Sequence, residues 1–334
     1  MLVGWLGFAA GGAAPMPVYA HIFVIIEENH TADQIIGNPA APALNRLARA
    51  YGYASNYFAV AHPSEPNYVA LLGGDTFGIT DDDAYYCKPG DGRSGCSHAG
   101  GSGYVSHTVD APALTDRLAA RGLSWKGYFE SIPKPGSTVT VWPASGPDEG
   151  HYAVKHNGFM AFKSVQKDPR RAAKIVGFDA LDRDIARNAL PNFAHIVPDQ
   201  CDDMHGLPAC RDETELVRRA DATAGRIVAK IAATAMWKGP QNCAIVITFD
   251  EDGGDSFSHA NSLATIPSAG GWIATIVITN HGPRRFADGA PYDHYSLVRS
   301  IEEAFRLSGH LGRAVAATNM SPLFAPLANR RPAP

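Results

Sequence analysis

Two apolar runs constrain the fold of this chain more than any other feature. His21–Glu27 reads HIFVIIE, and residues 244–249 read AIVITF. Neither alternates polar with apolar residues, so each needs apolar cover on both faces, as a central strand of a parallel sheet does. Both end abruptly in polar residues: Glu28-Asn29-His30 after the first, Asp250-Glu251-Asp252-Gly253-Gly254 after the second. Further strands are expected at 53–60, 124–129, 192–197 and Trp272–Thr279, and helices at 42–51, 68–72, 112–121, 213–235 and 294–307. This alternation predicts an α/β fold, a mostly parallel central sheet with helices on both faces. Ligands in such sheets bind outside the carboxyl ends of strands, and both polar clusters fall there.

With 334 residues, 45% of them hydrophobic and 19% charged, the chain can bury a large core and lacks the composition of disorder. Its formal charge of −4 gives no basis for nucleic-acid binding or for a polybasic membrane contact. The 33 Gly and 24 Pro imply many ordered loops. No linker divides the chain, so one domain is expected over 21–325, with long loops at 80–110 and 131–175. Residues 1–20 read as a truncated secretory signal or a ragged start: an apolar run and small residues are present, but no positive charge precedes them. That run is too short to span a membrane. Cys87 and Cys96, like Cys201 and Cys210, stand nine residues apart in loops. Two local disulfides fit this spacing, with free thiols the alternative and Cys243 left over. Paired cysteines point to a secreted or periplasmic protein.

The chemistry is concentrated in a few segments. Three consecutive carboxylates, Asp250, Glu251 and Asp252, repel one another unless a cation sits among them. Glu28 and Asn29 at another strand end make an oxygen-rich site for a hard divalent cation plausible chemistry. Ser64 lies in His62-Pro63-Ser64-Glu65-Pro66-Asn67-Tyr68, where two prolines stiffen the backbone. A serine hydroxyl needs a base or a metal to become a nucleophile. His205 and His294 occupy Asp-containing loops and read as functional; His30 and His62 adjoin the motifs. His98, His107, His151 and His156 read as surface or loop residues, and His281 stays open. The chain has no G-x-S-x-G elbow, no P-loop and no G-x-G-x-x-G.

Taken in order, five segments resemble a bacterial phosphoesterase family of secreted acid phosphatases and phospholipases C, within the alkaline phosphatase superfamily. They are Glu27-Glu28-Asn29-His30, the His62–Tyr68 segment, Asp202-Asp203-Met204-His205, Thr248 to Gly254, and Asp293-His294-Tyr295-Ser296. The likeness is strongest to mycobacterial-type secreted acid phosphatases acting on phosphoinositides. The resemblance implies an alkaline-phosphatase-like fold and a metal site of Glu28, Asn29, Ser64, Asp250 and Glu251. It makes Ser64 the nucleophile, places Asn29, Asn67, His205 and His294 on the substrate phosphate, and lets one of the histidines protonate the leaving group. Asp252 is left unassigned. One divalent metal ion is expected; the oxygen-rich set points to calcium, magnesium or manganese, with zinc or iron left open. The implied reaction is two-step phosphoryl transfer through a phosphoserine, favoured at acidic pH if the two imidazoles work protonated. The implied partner is a small phosphorylated substrate or a phospholipid headgroup. A phospholipase C or other phosphodiesterase is the alternative; a serine hydrolase or a non-catalytic binding protein fits less of the sequence.

Overall fold

β1 (His21–Glu27) and β8 (Cys243–Phe249) lie side by side in the sheet, and every residue of both except His21 is buried. The computed structural model describes residues 15–253 and 270–325. Most of the expected leader, 1–14, and Gly254 of the acidic motif fall outside the described residues. Between β1 and β8 come β2 (Gly52–Phe58), β3 (Trp125–Phe129), β4 (Val141–Trp142), β5 (Tyr152–Ala153), β6 (Ile175–Val176) and β7 (Phe193–Val197). β9 (Trp272–Thr279), β10 (Phe286–Asp288) and β11 (Tyr292–Asp293) follow. Among the described residues the main sheet has nine strands in the order β10-β2-β9-β8-β1-β7-β3-β6, with β11 beside β2. β9 runs antiparallel to β2 and β8; the other pairs of this sheet are parallel. The unbroken burial of β7 and β8 means that both faces are covered, which is why these strands tolerate no polar alternation.

Several boundaries differ from the sequence-based expectations. The strand expected at 53–60 is Gly52–Phe58, and the helix expected at 68–72 starts earlier, as Ser64–Gly73. The helix expected at 112–121 is Leu114–Ala120, and that at 294–307 is His294–Ala304. The long helix stops at Ala232, because Thr234 accepts a hydrogen bond from the Trp237 amide and starts a new turn, Ala235–Lys238. The stretch 131–175 is not irregular: it contains β4, β5 and the one-turn helices Gly158–Ala161, Lys163–Gln166 and Pro169–Ala172. Elements this short carry too few residues for a periodic signal. Cys87–Cys96 and Cys201–Cys210 are disulfide-bonded, and Cys243 is free and buried. No helix among the described residues is long and apolar enough to cross a membrane.

The Ser64–Gly73 helix is buried along its whole length. Gly158 packs against it so closely that a Cβ there would lie 2.3 Å from the Tyr68 carbonyl oxygen. Backbone cannot yield as a side chain does, so Gly158→Ala must displace the helix that carries Ser64. It is expected to cost about 1–3 kcal/mol in a denaturant titration, the usual range for overpacking. An unchanged transition midpoint would show that the contact is loose.

Candidate active site

Glu27 of β1 pairs with Phe249 of β8, and the Asp250 amide donates to the Glu27 carbonyl at 2.9 Å. The two strands therefore end together, and Glu28 and Asp250 leave the sheet as neighbours. Asp250 Oδ1 accepts from its own neighbour's amide, Glu251 N, at 2.6 Å and from Asn29 N at 3.3 Å. Asn29 has a positive φ of 53°. Gly253 turns against it with φ +77°, and a Cβ there would meet the Asn29 carbonyl oxygen at 2.7 Å. A glycine is required at that turn.

Ser64 is the first residue of its helix. Its Oγ lies 3.2 Å from Glu28 Oε2 and 3.3 Å from Glu251 Oε1, so one hydroxyl proton faces two carboxylates. The turn before it is held by Asn67. Asn67 Oδ1 accepts from the Val60 and Ala61 amides, and Nδ2 donates to the Ala61 and Pro63 carbonyls. Both amide protons are thus used by the backbone, and Asn67 shapes the Ser64 turn where a phosphate contact was expected.

His294 is equally engaged. Nε2 lies 2.8 Å from the Asp250 carbonyl and Nδ1 lies 3.2 Å from the Tyr57 hydroxyl. His205 Nδ1 lies 2.9 Å from the Gly206 carbonyl, and its Nε2 faces Lys155 Nζ at 3.1 Å. Each ring is best satisfied neutral, donating to the carbonyl and accepting on the other nitrogen. Burial pushes both down to about 4, with the Lys155 charge adding to the effect at His205. The expected imidazolium role is therefore not the one this arrangement favours.

Residues that the sequence reading passed over complete the site. His156 and His107, read as surface or loop, are buried. His156 stacks on Tyr68 and lies 3.2 Å from Glu28 Oε1, which also accepts from the Tyr68 hydroxyl at 2.6 Å. His107 lies 3.1 Å from both Glu65 and Asp81. The Asp203 carbonyl accepts from the Glu28 amide at 2.7 Å. One signal could have exposed part of this: Lys155-His156-Asn157 interrupts the otherwise apolar run 152–162, and polar groups inside such a run are buried with partners.

The phosphoesterase family model matches residues 38–308. The chain belongs to the phosphoesterase family. This phosphoesterase is 29% identical to a phosphatidylinositol-3-phosphatase of Mycobacterium tuberculosis, over 85% of the chain and 88% of that protein. It is 28% identical to a phosphate-repressible acid phosphatase of Penicillium chrysogenum, over 84% of the chain but 58% of the fungal protein. A solved protein of the alkaline phosphatase superfamily from Vibrio parahaemolyticus matches with TM-score 0.54 at 11% identity, over 98% of this chain and 76% of that one. A phosphonate monoester hydrolase from Silicibacter pomeroyi matches with TM-score 0.52 at 14% identity, over 93% and 78%. These structures share the fold, an alkaline-phosphatase-like mixed sheet. The family and its named members make the protein an enzyme that hydrolyses phosphate esters.

The donors at the phosphoesterase's strand ends fit a divalent cation. Asn29 Oδ1, Asp250 Oδ2 and Asp203 Oδ2 are buried without a hydrogen-bond partner. Unpaired buried oxygens are costly, and a hard cation is the partner that oxygen-only sets select. Glu28, His156 and His205 form a second donor group, with ligand atoms within 4.8 Å of one another. The Lys155 ammonium stands against the His205 lone pair there, so this group suits a cation less well. His62 pairs with Glu251 and lies 3.2 Å from Asp252 Oδ1, and these two hydrogen bonds raise it to about 10. Its imidazolium is a positive charge set among the same carboxylates.

Burial and then the Asp250 charge raise Glu28 well above the usual range, and burial followed by Glu251 raises Asp250 from 3.8 to about 7. An acid whose folded pKa is raised stabilises the fold while protonated and loses that contribution as it ionises. In chelator, the wild-type thermal midpoint is expected to fall relative to that of Asp250→Asn as pH rises from 3.8 to about 7, a comparison that cancels the opposite contribution of His205 and His294. Saturating divalent cation should remove that difference, most at the upper end; a wild-type midpoint that does not fall relative to Asp250→Asn in chelator contradicts this. Asp250→Asn should strip the cation, read by elemental analysis, and full retention would remove Asp250 from the ligand set.

Proposed function

We propose that the protein is a metal-dependent phosphomonoesterase working through a phosphoserine on Ser64. The observation that carries this is the position of Ser64 Oγ, between Glu28 and Glu251 at the start of a buried helix. Glu28, Asn29, Ser64, Asp250 and Glu251 would hold one divalent ion; the oxygen-rich set favours calcium, magnesium or manganese and leaves zinc and iron open. When bound, that ion would favour the Ser64 alkoxide and offset charge on the phosphate.

The chain's own residues supply the rest. Ser64 Oγ is aimed by the Asn67-braced turn, and its proton faces Glu28 and Glu251. Attack on phosphorus breaks the bond to the leaving alcohol and leaves phosphoserine, which water then hydrolyses. The helix beginning at Ser64 turns the positive end of its dipole toward the incoming anion, although the Glu65 amide is taken by Asp82 and Pro66 has none. His294 fixes the Asp250 backbone, and the Tyr68 hydroxyl fixes Glu28. The named relatives favour small phosphate monoesters, phosphoinositide headgroups among them. The two disulfides favour a secreted or periplasmic enzyme. A single domain over 21–325 accounts for the continuous sheet.

Ser64→Ala is expected to lower p-nitrophenyl phosphate turnover at least ~10³-fold, with the circular dichroism spectrum unchanged. Rapid acid quench during turnover should trap a phosphate ester on the Ser64 peptide of the wild-type enzyme. Undiminished turnover by Ser64→Ala, or label on another residue, would end the phosphoserine reading.

A further inference from the structure

Lys155 is the ammonium whose charge acts on Glu28, Asp203 and Asp250 alike. Its Nζ donates to Asp82 Oδ2 at 3.0 Å and to His205 Nε2 at 3.1 Å. An ammonium has three protons, so a third N–H has no partner among the described residues. Asp82 is itself fixed to the nucleophile helix: its Oδ1 accepts from the Glu65 amide, the residue after Ser64, at 2.9 Å. One carboxylate therefore ties the start of the Ser64 helix to the Lys155 head. The Lys155 side chain is 21% exposed, whereas the Ser64 residue is 1% exposed. A cation so placed can be reached from solvent while its position is fixed relative to the nucleophile.

Burial alone would lower this ammonium, but Asp82 and Glu28 more than offset that and hold it above the usual lysine range. It stays charged at any working pH. Among the described residues, the other cation near the cluster, His62, faces Glu251 and Asp252 with its two ring nitrogens. His205 and His294 are hydrogen-bonded to backbone carbonyls. Lys155, though paired with Asp82, keeps one N–H for a substrate.

Resting on the phosphoserine reading, we propose that Lys155, aimed by Asp82 and His205, meets the second negative charge of a phosphate monoester and so sets the preference for monoesters over diesters. A monoester carries close to two charges at neutral pH and a diester one. A fixed cation therefore stabilises the monoester, and the charge on its equatorial oxygens in the transition state, more strongly. A diester lacks that oxygen charge and places an ester substituent there instead.

The test is parallel kinetics of metal-replete wild-type, Lys155→Met, Lys155→Arg and Ser64→Ala enzymes on p-nitrophenyl phosphate and bis-p-nitrophenyl phosphate. Inhibition by inorganic phosphate is measured alongside. Lys155→Met is expected to lower monoester kcat/KM by ~10²-fold, the scale of losing one charge-stabilising donor. The monoester-to-diester ratio should fall at least ~10-fold, and the phosphate inhibition constant should rise at least ~10-fold. Lys155→Arg should recover much of both, because it keeps the charge. Should Lys155→Met fold poorly, by metal content and thermal midpoint, Lys155→Gln gives the same comparison. Equal loss on both esters, or an unchanged phosphate inhibition constant in a folded variant, would overturn the proposal and leave the nucleophile intact. Turnover surviving in Ser64→Ala would instead overturn the phosphoserine reading, whatever Lys155 does.

Discussion

The pairing of Glu27 with Phe249 places Glu28 and Asp250 side by side at the ends of two central strands. Parallel strands of equal reach end at the same level, and the chain must then turn out of a sheet buried on both faces. Here the two turns bring carboxylates together beneath the Ser64 helix, with Glu251 and Asp203 beside them. Like charges in a buried pocket cannot all ionise without compensation. The surroundings are a response to that constraint. Tyr68 donates to Glu28, Lys155 carries charge to the same carboxylates, and His62 closes on Glu251 and Asp252. Asn29 Oδ1, Asp203 Oδ2 and Asp250 Oδ2 are among the buried oxygens that still lack a hydrogen bond. A fold that tolerates this in its rigid centre has reserved the place for positive charge.

The histidines divide by what their nitrogens touch. His294 joins the carbonyl of Asp250 at the end of β8 to the hydroxyl of Tyr57 in β2, two strands away across β9. It holds a backbone in place, and full burial keeps it neutral. His205 is polarised by Lys155 and cannot take a second positive charge cheaply. His62 alone among these three is drawn toward protonation, since two carboxylates face it.

What could be read from the sequence follows from how each signal is carried. β1 and β8 announce themselves through continuous apolar runs, and Glu28, Asn29, Asp250 and Glu251 are legible because they follow those runs directly. Ser64 is legible because its turn is compact and local. Asn67 was found, but its partners are the amides and carbonyls of residues 60–63, and no spacing distinguishes a side chain that braces its own turn from one that faces a ligand. Asp82 lies in a long loop, Lys155 and His156 lie in a helical turn too short for periodicity, and only the tertiary fold brings them within reach of Glu28. His107 was misread for the same reason: a Gly- and Asp-rich loop reads as surface, yet this one folds inward over Glu65 and buries the ring.

Those two loops meet on one helix. Asp82 comes from the excursion tied by Cys87–Cys96, Lys155 from the one that contains β4 and β5, and both reach the amide end of the Ser64 helix. Gly158, three residues past Lys155, touches the carbonyl of Tyr68 in the same helix. The segment that bears Lys155 is therefore pinned to the nucleophile helix at two places, by an ion pair at its head and by backbone contact behind it. The excursions that interrupt the βα alternation are thus part of the site's geometry, because they carry the contacts that join Lys155 and Asp82 to the Ser64 helix.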